Sequence, residues 1–338
     1  MSSHSIEDAT RPAAVAASPG LVAHGRAWTG GAAATIAFLA AALLTTVWPD
    51  KSESDFDYTG NFAIVLAGVA GALALATVAS LRFAALARVQ RAAPWLIVLA
   101  VLIAVREAVT AKLGLLPMPF FPPPQAILGV IIDDWQRLGE GVIASLKLLA
   151  RGYASGAAAG FVVGVAIGWS RAAGYWIHPV LRLIGPLPAT AWLPLAFFAF
   201  PSSLSASTFL IALATGFPVA VLTWSGIAGV SSAYYDVART LGASRWFLVL
   251  KVAIPAALPH VFVSLFMGLG NSFAVVVAEM LGVKAGLGWY LQWAQGWAAY
   301  ANMYAALLIM ALVCSGLITL LFRLRDRFLS WQKGLVRW

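Results

Sequence analysis

Ser231-Ser232-Ala233-Tyr234-Tyr235-Asp236-Val237-Ala238-Arg239-Thr240-Leu241-Gly242-Ala243-Ser244-Arg245 carries the punctuation of a short helix that belongs to no membrane span, although apolar runs flank it on both sides. Ser232 is placed to cap its start, Asp236 lies near the positive end of its dipole, and Gly242 is placed as its terminator. Ala233, Tyr234, Val237, Ala238 and Leu241 form an apolar stripe at helical spacing. A second short helix follows, capped by Ser244, carrying Arg245, Trp246 and Phe247, and ending before Pro255 and Pro259. A helix of about nine residues does not hold together alone in water. Its apolar face must dock, either on the chain's own bundle or in a groove of a separate cytoplasmic protein.

Outward from this segment the chain is built for lipid. Of its 338 residues 61% are hydrophobic and 10% charged, against roughly 25% charged in soluble domains. A bilayer core of about 30 Å takes about 20 apolar residues per helix. Runs of that kind lie near 28–48, 61–81, 95–111, 141–170, 180–200, 206–229, 258–281 and 302–322, which makes eight spans. The net charge of +9 is not gathered into an aromatic-laced patch of the kind that reads nucleic acid; the basic residues fall between the spans.

Lys and Arg set the orientation. Alternate connections, starting from an inside N-terminus, hold Arg11, Arg26, Arg82, Arg88, Arg91, Arg171, Arg182, Arg239, Arg245, Lys251, Arg323, Arg325, Arg327, Lys333 and Arg337. The opposite set holds only Lys51, Lys112, Arg137 and Lys284, beside the acidic Asp50, Glu53, Asp55 and Asp57. Both termini are therefore expected in the cytoplasm. Arg106, Lys147 and Arg151 stand at or within span ends, where long stems can snorkel to the headgroups.

Two features concern packing. Gly152, Gly156, Gly160, Gly164 and Gly168 recur every fourth residue along span four and let neighbouring backbones approach closely. Each step turns about 40° past a full turn, so the ridge is expected to spiral and to serve two neighbours. Pro186, Pro188 and Pro194 stand in or beside span five and should bend or interrupt it. Broken helices are tolerated in membranes where they line a cavity, which makes Pro186, Pro188, Trp192 and Pro194 candidates for a gate or pathway wall, with a kinked structural helix as the plainer reading. Leu116 to Pro124, rich in proline, is expected to be an extended outside segment.

Catalytic chemistry is missing. No Gly-x-x-x-x-Gly-Lys-Ser/Thr phosphate loop occurs. His4, His24, His178 and His260 are scattered without metal-ligand spacing, and the single Cys314 lies in an apolar run. The chain is read as no enzyme and as holding no metal or cofactor. Glu279 is the acid set deep in the later spans, either lining a solute path, taking part in proton coupling, or bonding a neighbouring helix. Trp289, Tyr290, Trp293, Trp297 and Tyr300 form an aromatic group before the last span, expected as an interfacial belt.

Tyr235 to Arg245, followed by Ile254-Pro255-Ala256-Ala257-Leu258-Pro259, resembles the EAA loop of binding-protein-dependent ABC importer permeases. Phe121-Pro122-Pro123-Pro124-Gln125, Pro186 to Leu195, and Val277-Ala278-Glu279-Met280-Leu281-Gly282 with Gly286-Leu287-Gly288 resemble further motifs of its nitrate/sulfonate/taurine branch. Asp236-Val237-Ala238 stands where the family opens with Glu-Ala-Ala, and Phe200-Pro201 where it has a Phe-Gly pair. The resemblance covers roughly residues 95–338. It implies an all-α polytopic fold, the type I ABC importer transmembrane domain, with two extra N-terminal spans. On it, 1–27 is a disordered cytoplasmic tail, 28–94 an extra two-helix segment, and 95–338 the permease domain with its coupling loop near 231–259. The family's roles imply that Tyr234, Tyr235, Asp236, Val237, Ala238, Leu241, Gly242, Arg245, Pro255 and Pro259 meet a separate ATPase subunit, which holds the ATP and Mg. They further imply a periplasmic or lipoprotein solute-binding protein, a second permease copy as homodimer, and a place in the lipid of the bacterial inner membrane. An ion-coupled secondary transporter, which would need acidic or His relays and finds only Glu107 and Glu279, and a non-transporting scaffold are the competing readings.

Overall fold

A computed structural model describes residues 29–51, 56–80, 87–273, 279–280 and 282–330. The expected N-terminal tail and part of the late motif around Val277 lie outside them. The described elements are helices: α1 (Thr29–Val47), α2 (Thr59–Ser80), α3 (Ala87–Glu107), α4 (Pro124–Asp133), α5 (Trp135–Trp169), α6 (Arg171–Ile184), α7 (Leu193–Ala199), α8 (Ser203–Ala228), α9 (Ser232–Thr240), α10 (Arg245–Phe247), α11 (Ile254–Phe273), α12 (Leu287–Gly296) and α13 (Tyr300–Phe328). Among the described residues seven helices are long and apolar enough to cross a bilayer, and the pair α6 and α7, bent by 90°, makes an eighth if it is counted as one span. Span five, expected as one helix over 180–200, is this broken pair.

Among the described residues, 29–51, 59–80 and 87–113 form one compact unit and the remainder a second. In the first, α1 packs on α2 and α3. The third helix thus belongs with the first two, and the unit ends at Leu113 instead of 94. Lys112, expected in an outside loop, is buried at the end of a π-helical turn, Ala108–Lys112, that prolongs α3. Its ammonium donates to the carbonyls of Thr45 (2.8 Å) and Trp48 (2.6 Å) and pairs with Asp50 at 2.8 Å and Glu107 at 3.8 Å. A buried cation persists where carboxylates and carbonyls replace its water, and here they fasten the end of α1 to that of α3.

The second unit is organised by α5 and α8, which run in the same direction. A Cβ at Gly156 would stand 2.3 Å from the Ala212 carbonyl oxygen, and one at Gly160 2.4 Å from that of Gly216. Gly152 and Gly168 meet the Cβ atoms of Ile211 and Ile227, and Gly164 the Ala220 carbonyl. All five glycines therefore face one partner, contrary to the two expected from their spiral. The ridge does advance around α5, and α8 follows it, so the pair stays in contact over its whole length. α11 packs on the next face of α8, where Thr215 and Ser272 share a hydrogen bond of 2.6 Å between buried hydroxyls.

Prolines start helices here as often as they break them. Pro123, with an extended backbone, is the N-cap of α4, and Pro124 occupies its first turn, where a missing donor costs nothing. Pro255 and Pro259, expected to stop the second cytoplasmic helix, instead lie in α11, which α10 enters through a π-helical stretch, Leu248–Ala253. The carbonyl that Pro255 cannot bond belongs to Lys251, inside the π-helical stretch, where the i→i+4 register is already given up.

The opposite end of the bundle is tied by polar side chains. The Asp134 carboxylate accepts from the Tyr290 hydroxyl (2.8 Å) and the Asn302 amide (3.1 Å), joining the start of α5 to α12 and α13. Burial pushes the Tyr290 phenol up to about 12, so it stays a donor. The expected aromatic belt is accordingly split: Trp297 is 75% exposed, whereas Tyr290 is core. Tyr58, in the connection before α2, belongs by contact to this second unit, donating to Asp133 with its ring against Gly129.

Substituting Gly160 with Ala should cost about 1–3 kcal/mol through overpacking against backbone that cannot yield, and Gly160→Leu should leave no monodisperse protein in mild detergent. Gly139→Ala, on the same helix but with nothing within 4 Å of the new carbon, should keep or slightly raise the melting temperature measured by tryptophan fluorescence.

Candidate functional site

α9 presents two unlike faces. Tyr235 and Ala238 turn inward, where the Tyr235 ring lies 6.1 Å from that of Trp169 and packs on Ile227, Ala253 and Ala257. Burial raises the Tyr235 phenol above its usual value, with Arg239 pulling it back, so the ring docks as a neutral group. Tyr234, Val237 and Leu241 turn outward and are 64%, 63% and 82% exposed. The stripe expected from the sequence is therefore divided, since Ala238 holds the helix down while its neighbours stay free. Asp236 and Arg239 pair at 3.4 Å on the exposed side, a contact that contributes little in water.

The helix ends are defined by backbone chemistry. Ser231, not Ser232, is the N-cap, and its side chain makes no capping bond; Ser232 is the first helical residue. At the other end Ala243 N–H donates to the Ala238 carbonyl (3.0 Å) and Gly242 N–H to that of Arg239 (2.9 Å), the paired bonds of a Schellman terminator. Gly242 adopts φ +79° with open space around it, so a side chain there meets backbone strain and no neighbour. Ser244 caps α10 by accepting from Phe247 N–H at 3.3 Å, leaving Trp246 and Phe247 76% and 50% exposed beside α9. Arg245 is likewise exposed; Pro255 and Pro259 are half-buried in α11 and take no part in this surface.

The second feature lies at the break between α6 and α7. Pro186 and Pro188 line a cleft of about 270 Å³, with Thr190, Phe217 of α8 and Asn271 of α11 among its walls. Gly185 is required there, because a Cβ would strike the Phe217 ring at 2.3 Å. The other pathway candidates lie elsewhere. Pro194 sits in the first turn of α7, and Trp192 packs against the buried cluster around Leu193 and Leu210.

Glu279 is 5% exposed and fully engaged. Its Oε2 accepts from the Ser145 hydroxyl (2.8 Å) and Gly288 N–H (3.0 Å), while the Ser145 oxygen accepts from Leu287 N–H (2.9 Å). The carboxylate thus caps the N-terminus of α12, where free N–H groups and the dipole favour negative charge, and ties it to α5. Gly286, at φ +127°, admits it: a Cβ would lie 2.7 Å from Glu279 Oε2. The bonding role set out among the sequence readings is the one the geometry displays.

The sequence profile of the family described as binding-protein-dependent transport system inner membrane component matches residues 156–332, a stretch that holds the ridge from Gly156 onward, the bent pair α6 and α7, and α9. The chain belongs to this family. This inner-membrane component is the permease subunit of an ABC importer, in the branch that contains the nitrate and bicarbonate permeases. The bicarbonate transport system permease protein CmpB of Synechococcus elongatus is 35% identical over 201 residues, 58% of this permease and 67% of that one. The nitrate import permease protein NrtB of the same species is 28% identical over 256 residues, 72% and 89% of the two chains. NrtB of Leptolyngbya laminosa is 33% identical over 210 residues, covering 60% and 73%. An importer permease of this family works with an ATPase and a solute-binding protein. Asn271 and Thr190 of the permease escaped the sequence reading, although an amide amid the apolar run of span seven was the available signal.

Replacing Glu279 with Leu should destabilise the permease by about 1–3 kcal/mol, because Gly288 N–H is left buried without an acceptor. Glu279→Gln, which keeps an acceptor oxygen, should melt close to the parent and still support uptake in cells; loss of uptake with unchanged melting would instead mark a proton-coupling role.

Proposed function

We propose that this permease carries a small oxyanion of the nitrate or bicarbonate kind into the cytoplasm, and that α9 is the element through which its ATPase acts. The observation that carries the second statement is the outward stripe of Tyr234, Val237 and Leu241, extended by Trp246 and Phe247. A short helix that is pinned by one face and apolar on the other suits a groove on a second protein. Solute class is supported by the names of the relatives, nitrate and bicarbonate permeases.

In this reading a solute-binding protein delivers the anion from outside and two copies of the chain enclose its path within the lipid. ATP and Mg are bound by the partner ATPase. The surplus of Lys and Arg in alternate connections supports termini on the cytoplasmic side, which is where α9 then lies. ATP-driven closure can shift the inward and outward states only by interacting differently with each, and α9 is the contact that would feel the difference.

Val237→Asp with Leu241→Asp places two charges on the stripe without touching the inner face. The expected result is a normally inserted protein that no longer retains a P-loop ATPase on purification from its native membrane, judged by mass spectrometry. Gly242→Arg should behave alike, since losing the left-handed terminator costs about 1–2 kcal/mol and tilts the helix end. Retention of the ATPase by both variants would remove α9 from the interface.

A further inference from the structure

Arg182 is the residue on which the sequence and the structure disagree most usefully. The positive-inside count put it in a cytoplasmic connection, yet it lies in the last turn of α6. α6 climbs the flank of α8: the His178 ring stands 4.1 Å from that of Trp224, and Gly185 abuts Phe217. Arg182 lines the same hollow as Val221, which precedes the end of α8 at Ala228 by about 10 Å at 1.5 Å per residue. Arg182 therefore stands about two helical turns in from that end of α8. It is exposed, and among the described residues it has no carboxylate partner.

What it faces is an open groove. Hollows of about 600 and 450 Å³ share His178 and Arg182, and the second shares Gly185, Pro186 and Phe217 with the 270 Å³ cleft at the helix break. Among the described residues that line the three there is no Asp or Glu; the polar side chains include Arg182, His178, Thr190 and Asn271, with the Tyr175 hydroxyl and the Trp176 and Trp224 indoles. No residue of α6 is buried, with Tyr175 and Trp176 74% and 75% exposed, so the groove is open on that side. A cation inside a span is costly unless something answers its charge. A passing anion would do so transiently, and a guanidinium presents paired donors suited to a planar oxyanion.

We propose that the groove along α6 is the inner half of the anion path and that Arg182 is its charge-selecting residue, with the Asn271 amide as the neutral donor at the helix break. This rests on the oxyanion reading given above.

The test is uptake of ¹⁵N-nitrate and ¹⁴C-bicarbonate by cells whose native copy is replaced by Arg182→Lys, Arg182→Gln or Asn271→Leu, with membrane levels checked by immunoblot. Arg182→Gln should lower uptake about tenfold or more at equal protein level, chiefly by raising the half-saturating concentration, and Arg182→Lys should restore most of it. Asn271→Leu should lower uptake by a smaller factor. Uptake by Arg182→Gln within about twofold of the parent would overturn the role of Arg182 and leave the oxyanion reading standing. A parent that moves neither probe would overturn both, the reading failing first.

Discussion

The approach of α5 to α8 along five glycines is the constraint from which the second unit takes its form. With backbone against backbone, dispersion acts over the whole length of the pair, and in lipid that replaces the burial of apolar surface that drives packing in water. The other elements are then placed by reference to this pair. α11 takes the free face of α8, α6 and α7 flank it, and α9 hangs from the ends of α8 and α11 through Tyr235. The glycines also fix the register of α5 on α8, since relative sliding would carry the Ala212, Gly216 and Ala220 carbonyls off the positions that lack a Cβ and onto side chains.

Three buried or half-buried charged groups are handled by one rule, each meeting a backbone group or a partner side chain, whereas the Gln125 amide, the Trp192 indole nitrogen and the Thr223 hydroxyl are buried without a hydrogen-bond partner among the described residues. Lys112 takes two carbonyls at the end of α1, Glu279 takes the Gly288 N–H in the first turn of α12, and Asp134 takes Tyr290 and Asn302. These knots lie where helices end, because helix ends are where unpaired backbone groups are found. Arg182 is a different case, an exposed guanidinium along a groove with no carboxylate partner among the described residues.

Much of this was legible in the sequence. The all-helical, many-spanning fold, the short helix between α8 and α11, its Gly242 terminator and the Ser244 cap follow from residue type and local spacing, and local rules govern them. What failed was long-range or depended on a partner. The glycine ridge was assigned two neighbours because its rotation was counted on α5 alone, without an α8 that turns with it. Ala238 was counted with Val237 because periodicity cannot tell the anchored side of a short helix from the free one; Tyr235 against Trp169 decides that. Pro255 and Pro259 were read as stops, since a π-helical lead-in leaves no mark in composition. Glu279 could be listed as a candidate but not assigned, as Ser145 and Gly288 are far from each other in the chain.

The same architecture bears on how a cytoplasmic event reaches the membrane. Tyr235 rests on Ile227 of α8 and on Ala253 and Ala257 at the start of α11. Those two helices carry opposite walls of the cleft at the break, Phe217 on one and Asn271 on the other. A displacement of α9 therefore enters both walls at once, by rigid helices and without an intervening loop. α8 is held to α5 by backbone contact, whereas α11 meets it through side chains and hydroxyls such as Thr215 and Ser272. Side-chain interfaces repack more readily than backbone ones, so of the two contacts of α8 the one with α11, which carries the Asn271 amide, is the softer. The same cleft borders the broken helix, whose prolines have already surrendered the hydrogen bonds that a change of angle would cost.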